Sequence, residues 1–209
     1  MSDREVVVLS GVRTAIADFG GSLKDVPPTE LAGQVVAEAV KRSGLQGADI
    51  GHCVIGSVTH SDRRDMYMGR VAALKGGLPI ETPALTVNRL CGSGLQAVIS
   101  AAQMVLLGDC DAVVAGGAES MTRVPYWLPK ARFGARMGDA TMEDPMMGAL
   151  TCPMGDTHMG ITAENLAEKY SVSREEQDEL AAESHRRAQR AIEAGYFKEQ
   201  ILPIELKTR

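Results

Sequence analysis

The sequence predicts an α/β protein built on a mostly parallel sheet. Short apolar segments alternate along the chain with helical patterns, the order expected of strands joined by crossover helices. These segments are apolar at every position, as strands covered on both faces are, and do not alternate with polar residues. Glycine is also overused, at 22 of 209 residues against a usual share of roughly 7%. That excess suggests tight turns and close backbone approaches.

Val6-Val7-Val8-Leu9-Ser10 is a β-branched run that reads as a buried strand. Pro27-Pro28-Thr29 opens a helix with Leu31, Val35, Val36, Ala39 and Val40 on one face, and Ser43-Gly44 ends it. A second strand is expected at about 52–58, and a helix at about 65–74 that stops at Gly76-Gly77-Leu78-Pro79. A third strand, 84–87, leads into a long helix over about 92–107, closed by Gly108. A fourth, 112–115, runs into Gly116-Gly117.

After Ser120 the texture changes. From Met121 to Gly160 the chain is rich in Pro, Gly, Met and Arg with little periodicity. An irregular stretch of that length usually binds or assembles something. Regular structure resumes near Thr162-Ala163-Glu164-Asn165-Leu166. Ser173-Arg174-Glu175-Glu176 forms a capping box that starts a helix reaching Ala194, with Gly195 after it. Ile201-Leu202-Pro203-Ile204-Glu205-Leu206 resembles the start of a strand before the terminal Lys207-Thr208-Arg209. The organisation expected is a domain over 1–120 and a second, irregular one over 121–209.

The net charge of −5 leaves no electrostatic footprint for nucleic-acid binding. The polar start Met1-Ser2-Asp3-Arg4-Glu5 argues against a cleavable signal. No apolar run is read as the roughly 18–20 residues a membrane span needs. Cys53, Cys91, Cys110 and Cys152 form no C-x-x-C pair, and their number in an unsignalled chain suits a reducing, cytoplasmic compartment. His52, His60, His158 and His185 make no H-E-x-x-H, so no metal site is expected.

The most informative stretch is Asn88-Arg89-Leu90-Cys91-Gly92-Ser93-Gly94-Leu95-Gln96, which joins an apolar strand to the long helix. A cysteine at that junction meets free helix N–H groups, which favour the thiolate and can stabilise an oxyanion. Gly92 and Gly94 leave room for a bulky substrate over the sulfur. This is the logic of a nucleophile elbow with Cys in place of Ser. The competing reading is a packing cysteine whose glycines serve only helix–sheet contact, since no activating base lies nearby in sequence. A phosphate loop is disfavoured, because neither the P-loop lysine nor G-x-G-x-x-G is present.

The segment Val87 to Gln96 closely resembles the nucleophile motif of thiolases, the family of acetyl-CoA acetyltransferases and 3-ketoacyl-CoA thiolases. Other segments agree in order. They are Val12-Arg13-Thr14 with Phe19-Gly20-Gly21, then Ala115-Gly116-Gly117-Ala118-Glu119-Ser120-Met121. They continue with His158-Met159-Gly160-Ile161-Thr162-Ala163-Glu164-Asn165 and Ser173-Arg174-Glu175-Glu176-Gln177-Asp178. Ser61-Asp62-Arg63-Arg64-Asp65-Met66-Tyr67-Met68-Gly69-Arg70 departs from the common Gln-Asn-Pro-Ala-Arg segment and resembles the β-ketothiolase branch.

The resemblance implies a layered α/β/α half-fold with an inserted loop domain. Cys91 would accept an acyl group from a thioester, with its backbone N–H in an oxyanion hole. Leu150, His158 and Met159 would line the pantetheine and acyl pocket. It also implies acyl-CoA and CoA as partners, a homo-oligomer (dimer or tetramer) built partly through 121–144, a place in fatty acid metabolism, and no cofactor beyond the CoA thioester. Read from the residues alone, His158, Met159 and Leu150 are ordinary polar or core positions.

Family members run to about twice this length, and their second half supplies a His motif and a Gly-rich Cys motif. Neither G-H-P nor C-x-G-G-G occurs here. The 209 residues alone are therefore expected not to turn over, and to expose apolar surface that drives association. A non-catalytic thiolase-like module that binds acyl-CoA or assembles is the alternative, and a ketosynthase-type condensing enzyme a third.

Overall fold

The computed structural model describes residues 4–206. Met1-Ser2-Asp3 and Lys207-Thr208-Arg209 lie outside the described residues. The chain divides into two compact units. One runs to Val124 and takes in the segment from Glu199, and the other is Pro125–Lys198.

The first unit is a parallel three-stranded sheet with helices on both faces. Its elements are α1 (Pro28–Ser43), β1 (His52–Gly56), α2 (Met68–Lys75), β2 (Ala84–Val87), α3 (Ser93–Leu107) and β3 (Val113–Gly117). The strand order is β2-β1-β3, with Cys53 beside Ala84 and Val114. Since β1 is central, it is the strand with continuous burial. Alternate side chains of a strand face opposite ways. Cys53 and Ile55 thus join Ala32, Val36, Val40, Met68, Ala72 and Ala73 of α1 and α2 in the core, while Gly56 meets the start of α3.

Helix ends follow local chemistry. Pro28 occupies the first turn of α1, where its missing N–H costs nothing. Gly108 ends α3 in the left-handed region at φ 81°, its N–H closing on Met104 and Val105.

Four sequence expectations need correction. Val6–Leu9 forms no strand and is exposed, Val8 to 85%. Strand propensity alone makes no ladder, and no described strand pairs with it. The backbone pairing near it is downstream, where Arg13 and Ile201 form one parallel bridge through Arg13 N–H to Gln200 O (2.9 Å) and Leu202 N–H to Arg13 O (2.7 Å). The strand expected from Ile201 is that single bridge. The helix expected from Asp65 begins as a 3-10 turn over Asp65–Tyr67 before α2. Finally, Leu90–Leu107 is long and apolar enough to cross a membrane by length and composition, with a mean hydropathy of 1.6. Uncharged Ser, Gly and Gln interrupt that stretch, so it does not read as a continuous apolar run. α3 packs on β1 and β3 through Ser93, Ala97 and Ala101 and exposes Leu95, Val98, Leu106 and Leu107.

The charged segment before α2 is a built turn. Asp65 is fully buried, and its Oδ2 accepts from Ser61 N–H (2.8 Å), Ser61 Oγ (2.7 Å) and Asp62 N–H (3.0 Å). The Arg64 guanidinium donates to both oxygens of Asp62 and holds that carboxyl down at about 2.

In the second unit, Trp127 and Glu143 exchange two backbone hydrogen bonds of 2.9 Å around a 3-10 turn at Pro129–Phe133. α4 (Pro145–Ala149) follows, capped by Asp144, then the antiparallel pair β4 (Thr151–Cys152) and β5 (Thr157–His158). α5 (Met159–Tyr170) and α6 (Arg174–Glu193) complete it. The capping box of α6 is formed in both directions, Glu176 N–H to Ser173 Oγ (3.1 Å) and Ser173 N–H to Glu176 carboxylate (2.8 Å).

On α6, Glu183 accepts from Arg186 (2.8 Å), Arg187 (2.9 Å) and Arg190 (3.0 Å). Hydrogen bonds from Arg186, then Arg190 and Arg187, hold its carboxyl down at about 2. A folded-state value below the unfolded one means the stabilisation is present above the ordinary glutamate range and is lost as pH falls toward 2. Helicity of α6, followed by hydrogen exchange of its amides, should weaken across that window. Added salt should shrink the effect, because the group is exposed. A Glu183→Gln variant with the same acid profile would contradict this.

Candidate active site

The turn between β2 and α3 puts Cys91, exposed, ahead of the first turn of α3 at the carboxyl end of the sheet. Ligands bind at that end of open parallel sheets, where strand termini and helix N-termini converge. Two glycines seat the turn. A Cβ on Gly56 would lie 2.5 Å from the backbone carbon of Ser93, and one on Gly117 would lie 3.2 Å from Gly94 Cα. The glycines of β1 and β3 are therefore what let the helix start descend onto the sheet.

The turn itself is tightly tied. Leu90 adopts φ 49°, in the left-handed region, although it is not a glycine. That conformation costs of order 1–3 kcal/mol and persists only where surroundings enforce it. Here Asn88 Oδ1 accepts from Leu90 N–H (2.9 Å), Gly92 N–H donates to Arg89 O (3.1 Å), and Ser93 N–H donates to Leu90 O (2.9 Å). Ser93 Oγ accepts from Arg89 N–H (2.8 Å) and donates to Leu90 O (2.7 Å). Sequence reasoning noticed the glycines around Ser93 and missed the serine. Its signal was available, since Ser favours local backbone hydrogen bonding at turns and helix starts.

Beside this turn, Glu119 follows β3 and clasps the loop after β1. It accepts from Val58 N–H (2.8 Å), Thr59 N–H (3.2 Å) and Thr59 Oγ1 (2.6 Å). Of the other cysteines, Cys53 is buried and Cys110 half-buried. Burial pushes the Cys53 thiol up to about 12, and burial followed by Asp109 and Asp111 raises that of Cys110.

The second unit brings Leu150, His158 and Met159 together. Thr151 pairs with His158, and Met159 N–H donates to Leu150 O (2.9 Å). His158 is exposed and caps α5, its Nδ1 accepting from Gly160 N–H (3.0 Å). That bond places the imidazole proton on Nε2, leaving a donor free of the cap. Among the described residues no group of three or more His, Cys, Asp or Glu side chains could hold a metal ion.

Residues 6–209 match the family model described as the N-terminal domain of thiolase. The chain is 63% identical over 206 residues to the beta-ketothiolase BktB of Cupriavidus necator, covering 99% of this chain and 52% of that protein. It is 43% identical to an acetyl-CoA acetyltransferase of Pseudomonas aeruginosa, again covering 99% and 52%. Among solved structures it resembles the acetyl-CoA acetyltransferase of Bacillus anthracis, with TM-score 0.91, 44% identity and coverage of 97% and 51%. It also resembles human mitochondrial 3-ketoacyl-CoA thiolase in complex with CoA, with TM-score 0.91, 38% identity and coverage of 95% and 50%. The chain thus spans about half the length of the curated relatives it matches.

Proposed function

The chain belongs to the thiolase family, and from that premise we propose that it carries the acyl-accepting half of an acyl-CoA C-acyltransferase. The reaction interconverts 3-ketoacyl-CoA plus CoA with acyl-CoA plus acetyl-CoA. One observation carries this reading: an exposed cysteine held at a tied, strained turn before a helix start.

Cys91 Sγ attacks the thioester carbonyl and the Cys91 N–H helps hold the oxyanion. The carbon–sulfur bond to CoA then breaks and the thiol proton leaves with CoA. An acyl-enzyme remains. Thiolysis by CoA, or attack by the carbanion of a second acyl-CoA, releases it. In the second unit, Leu150, His158 and Met159 line the path of the pantetheine and acyl chain, with His158 offering its Nε2–H. The working enzyme is a cytoplasmic homo-oligomer of fatty acid metabolism that needs no metal or organic cofactor beyond the CoA thioester. The names of its relatives, acetyl-CoA acetyltransferase and beta-ketothiolase, support this substrate class.

The test is to mix the complete protein with acetyl-CoA, quench in acid, and map the adduct by peptide mass spectrometry. A hydroxylamine-labile acetyl group on the Cys91 peptide is the expected result. Its absence from that peptide, with the protein folded, overturns the proposal.

A further inference from the structure

We propose that the Ser93 hydroxyl is a positioning residue for acyl transfer, setting the direction of the Cys91 backbone N–H through the Leu90 carbonyl. The inference rests on the acyl-transfer reading of Cys91 and concerns a side chain that does not touch the reacting atoms.

The Leu90 carbonyl and the Cys91 N–H are the two ends of one planar peptide unit, so fixing one fixes the other in the opposite direction. Leu90 O accepts two hydrogen bonds from the same residue, Ser93 N–H at 2.9 Å and Ser93 Oγ at 2.7 Å. The hydroxyl has no choice of direction. Arg89 N–H, at 2.8 Å, can only donate to it, so the serine proton must go to Leu90 O.

Ser93 is also enclosed. It is 4% exposed, and its backbone rests where Gly56 lacks a side chain. The left-handed φ of Leu90 makes this restraint necessary, because a leucine released from its ties would relax toward a commoner conformation. Relaxation would turn the peptide plane and swing the Cys91 N–H away from the oxyanion. The sulfur itself would stay exposed and reactive.

That separation supplies the test. Acylation of Cys91 passes through an oxyanion and uses the N–H, whereas alkylation by iodoacetamide displaces iodide at carbon and does not. In the complete protein, the rate of Cys91 acetylation by acetyl-CoA is divided by its rate of alkylation. Losing one oxyanion donor costs ~100–1,000-fold in rate, so Ser93→Ala, which misaims a donor without deleting it, should lower the ratio by about tenfold or more. Ser93→Thr keeps the hydroxyl and should hold the ratio within about threefold.

Ser93→Ala with an unchanged ratio overturns the proposal, and so does Ser93→Thr falling as far as alanine. Should alanine at this buried site not fold, Ser93→Gly removes the same hydroxyl and takes its place, with the same expected drop and the same overturning result. If the unmodified protein is alkylated at Cys91 but never acetylated, the acyl-transfer reading fails and takes this inference with it. If it is acetylated and the variants match it, only the role of Ser93 fails.

Discussion

Replacing Cys91 with alanine is expected to lower acyl transfer by about four orders of magnitude or more, because in the proposed reaction the sulfur carries the acyl group between the two half-reactions. The fold should be unaffected. Cys91 is exposed and sits before the helix, so its truncation should change stability by no more than about 0.5 kcal/mol. CoA affinity should also survive, since binding through remote parts of a substrate is separate from covalent capture. The signature is thus a collapse of kcat with little change in Kd for CoA, measured by thiolysis kinetics and isothermal titration. Cys91→Ser is the stricter variant, because its hydroxyl keeps the geometry but is a weak nucleophile at neutral pH. A labile acyl adduct formed on the serine variant at the unmodified rate would mean that another group accepts the acyl chain.

Parts of this architecture were legible in the sequence because their determinants are local. α3 ends where Gly108 takes the left-handed conformation, and α6 starts where Ser173 and Glu176 exchange hydrogen bonds. Both are written within four residues. Val6–Leu9 was not legible as an exposed segment. Its run of apolar residues records suitability for a covered strand, whereas a ladder depends on a distant partner. The buried Asp65 was hidden for the opposite reason. Ser61-Asp62-Arg63-Arg64-Asp65 has the composition of a solvated loop, and only the folded turn directs two backbone N–H groups and a hydroxyl at one carboxylate.

The site divides in the same way. Cys91 at a strand-to-helix junction is visible as a motif. The left-handed Leu90 is not, since leucine has no preference for that region, and its conformation comes from Asn88, Ser93 and the sheet below. Leu150 comes beside the consecutive pair His158 and Met159 because β4 pairs with β5 and Met159 N–H reaches Leu150 O, a contact that the sequence does not announce.

Gly56 and Gly94 should separate two roles of glycine around the nucleophile. A Cβ at Gly56 would meet the Ser93 carbon at 2.5 Å, the Ser93 oxygen at 2.6 Å and the Gly94 nitrogen at 2.8 Å, all backbone atoms that cannot rotate aside. To restore a contact of 3.4 Å, the first turn of α3 must lift by about 0.9 Å (3.4 − 2.5). Overpacking of this kind costs about 1–3 kcal/mol, roughly 2–12 °C in Tm for a chain of this size. A displacement near 1 Å at a reacting group can cost about 100-fold in rate, so Gly56→Ala should lose both stability and acylation. A Cβ at Gly94 meets nothing within 4 Å. Gly94→Ala should therefore keep or raise Tm, since alanine is favoured over glycine in a helix by roughly 0.5–1 kcal/mol. If the open space above Gly94 admits the acyl-CoA, that variant loses acylation while its alkylation by iodoacetamide stays nearly unchanged. Thermal melts and the two Cys91 rates, taken together, test both halves. Full acylation in Gly94→Ala would show that the glycine beside the nucleophile is not there for the substrate, and an unshifted melt in Gly56→Ala would remove the sheet contact from the account of how the turn is held.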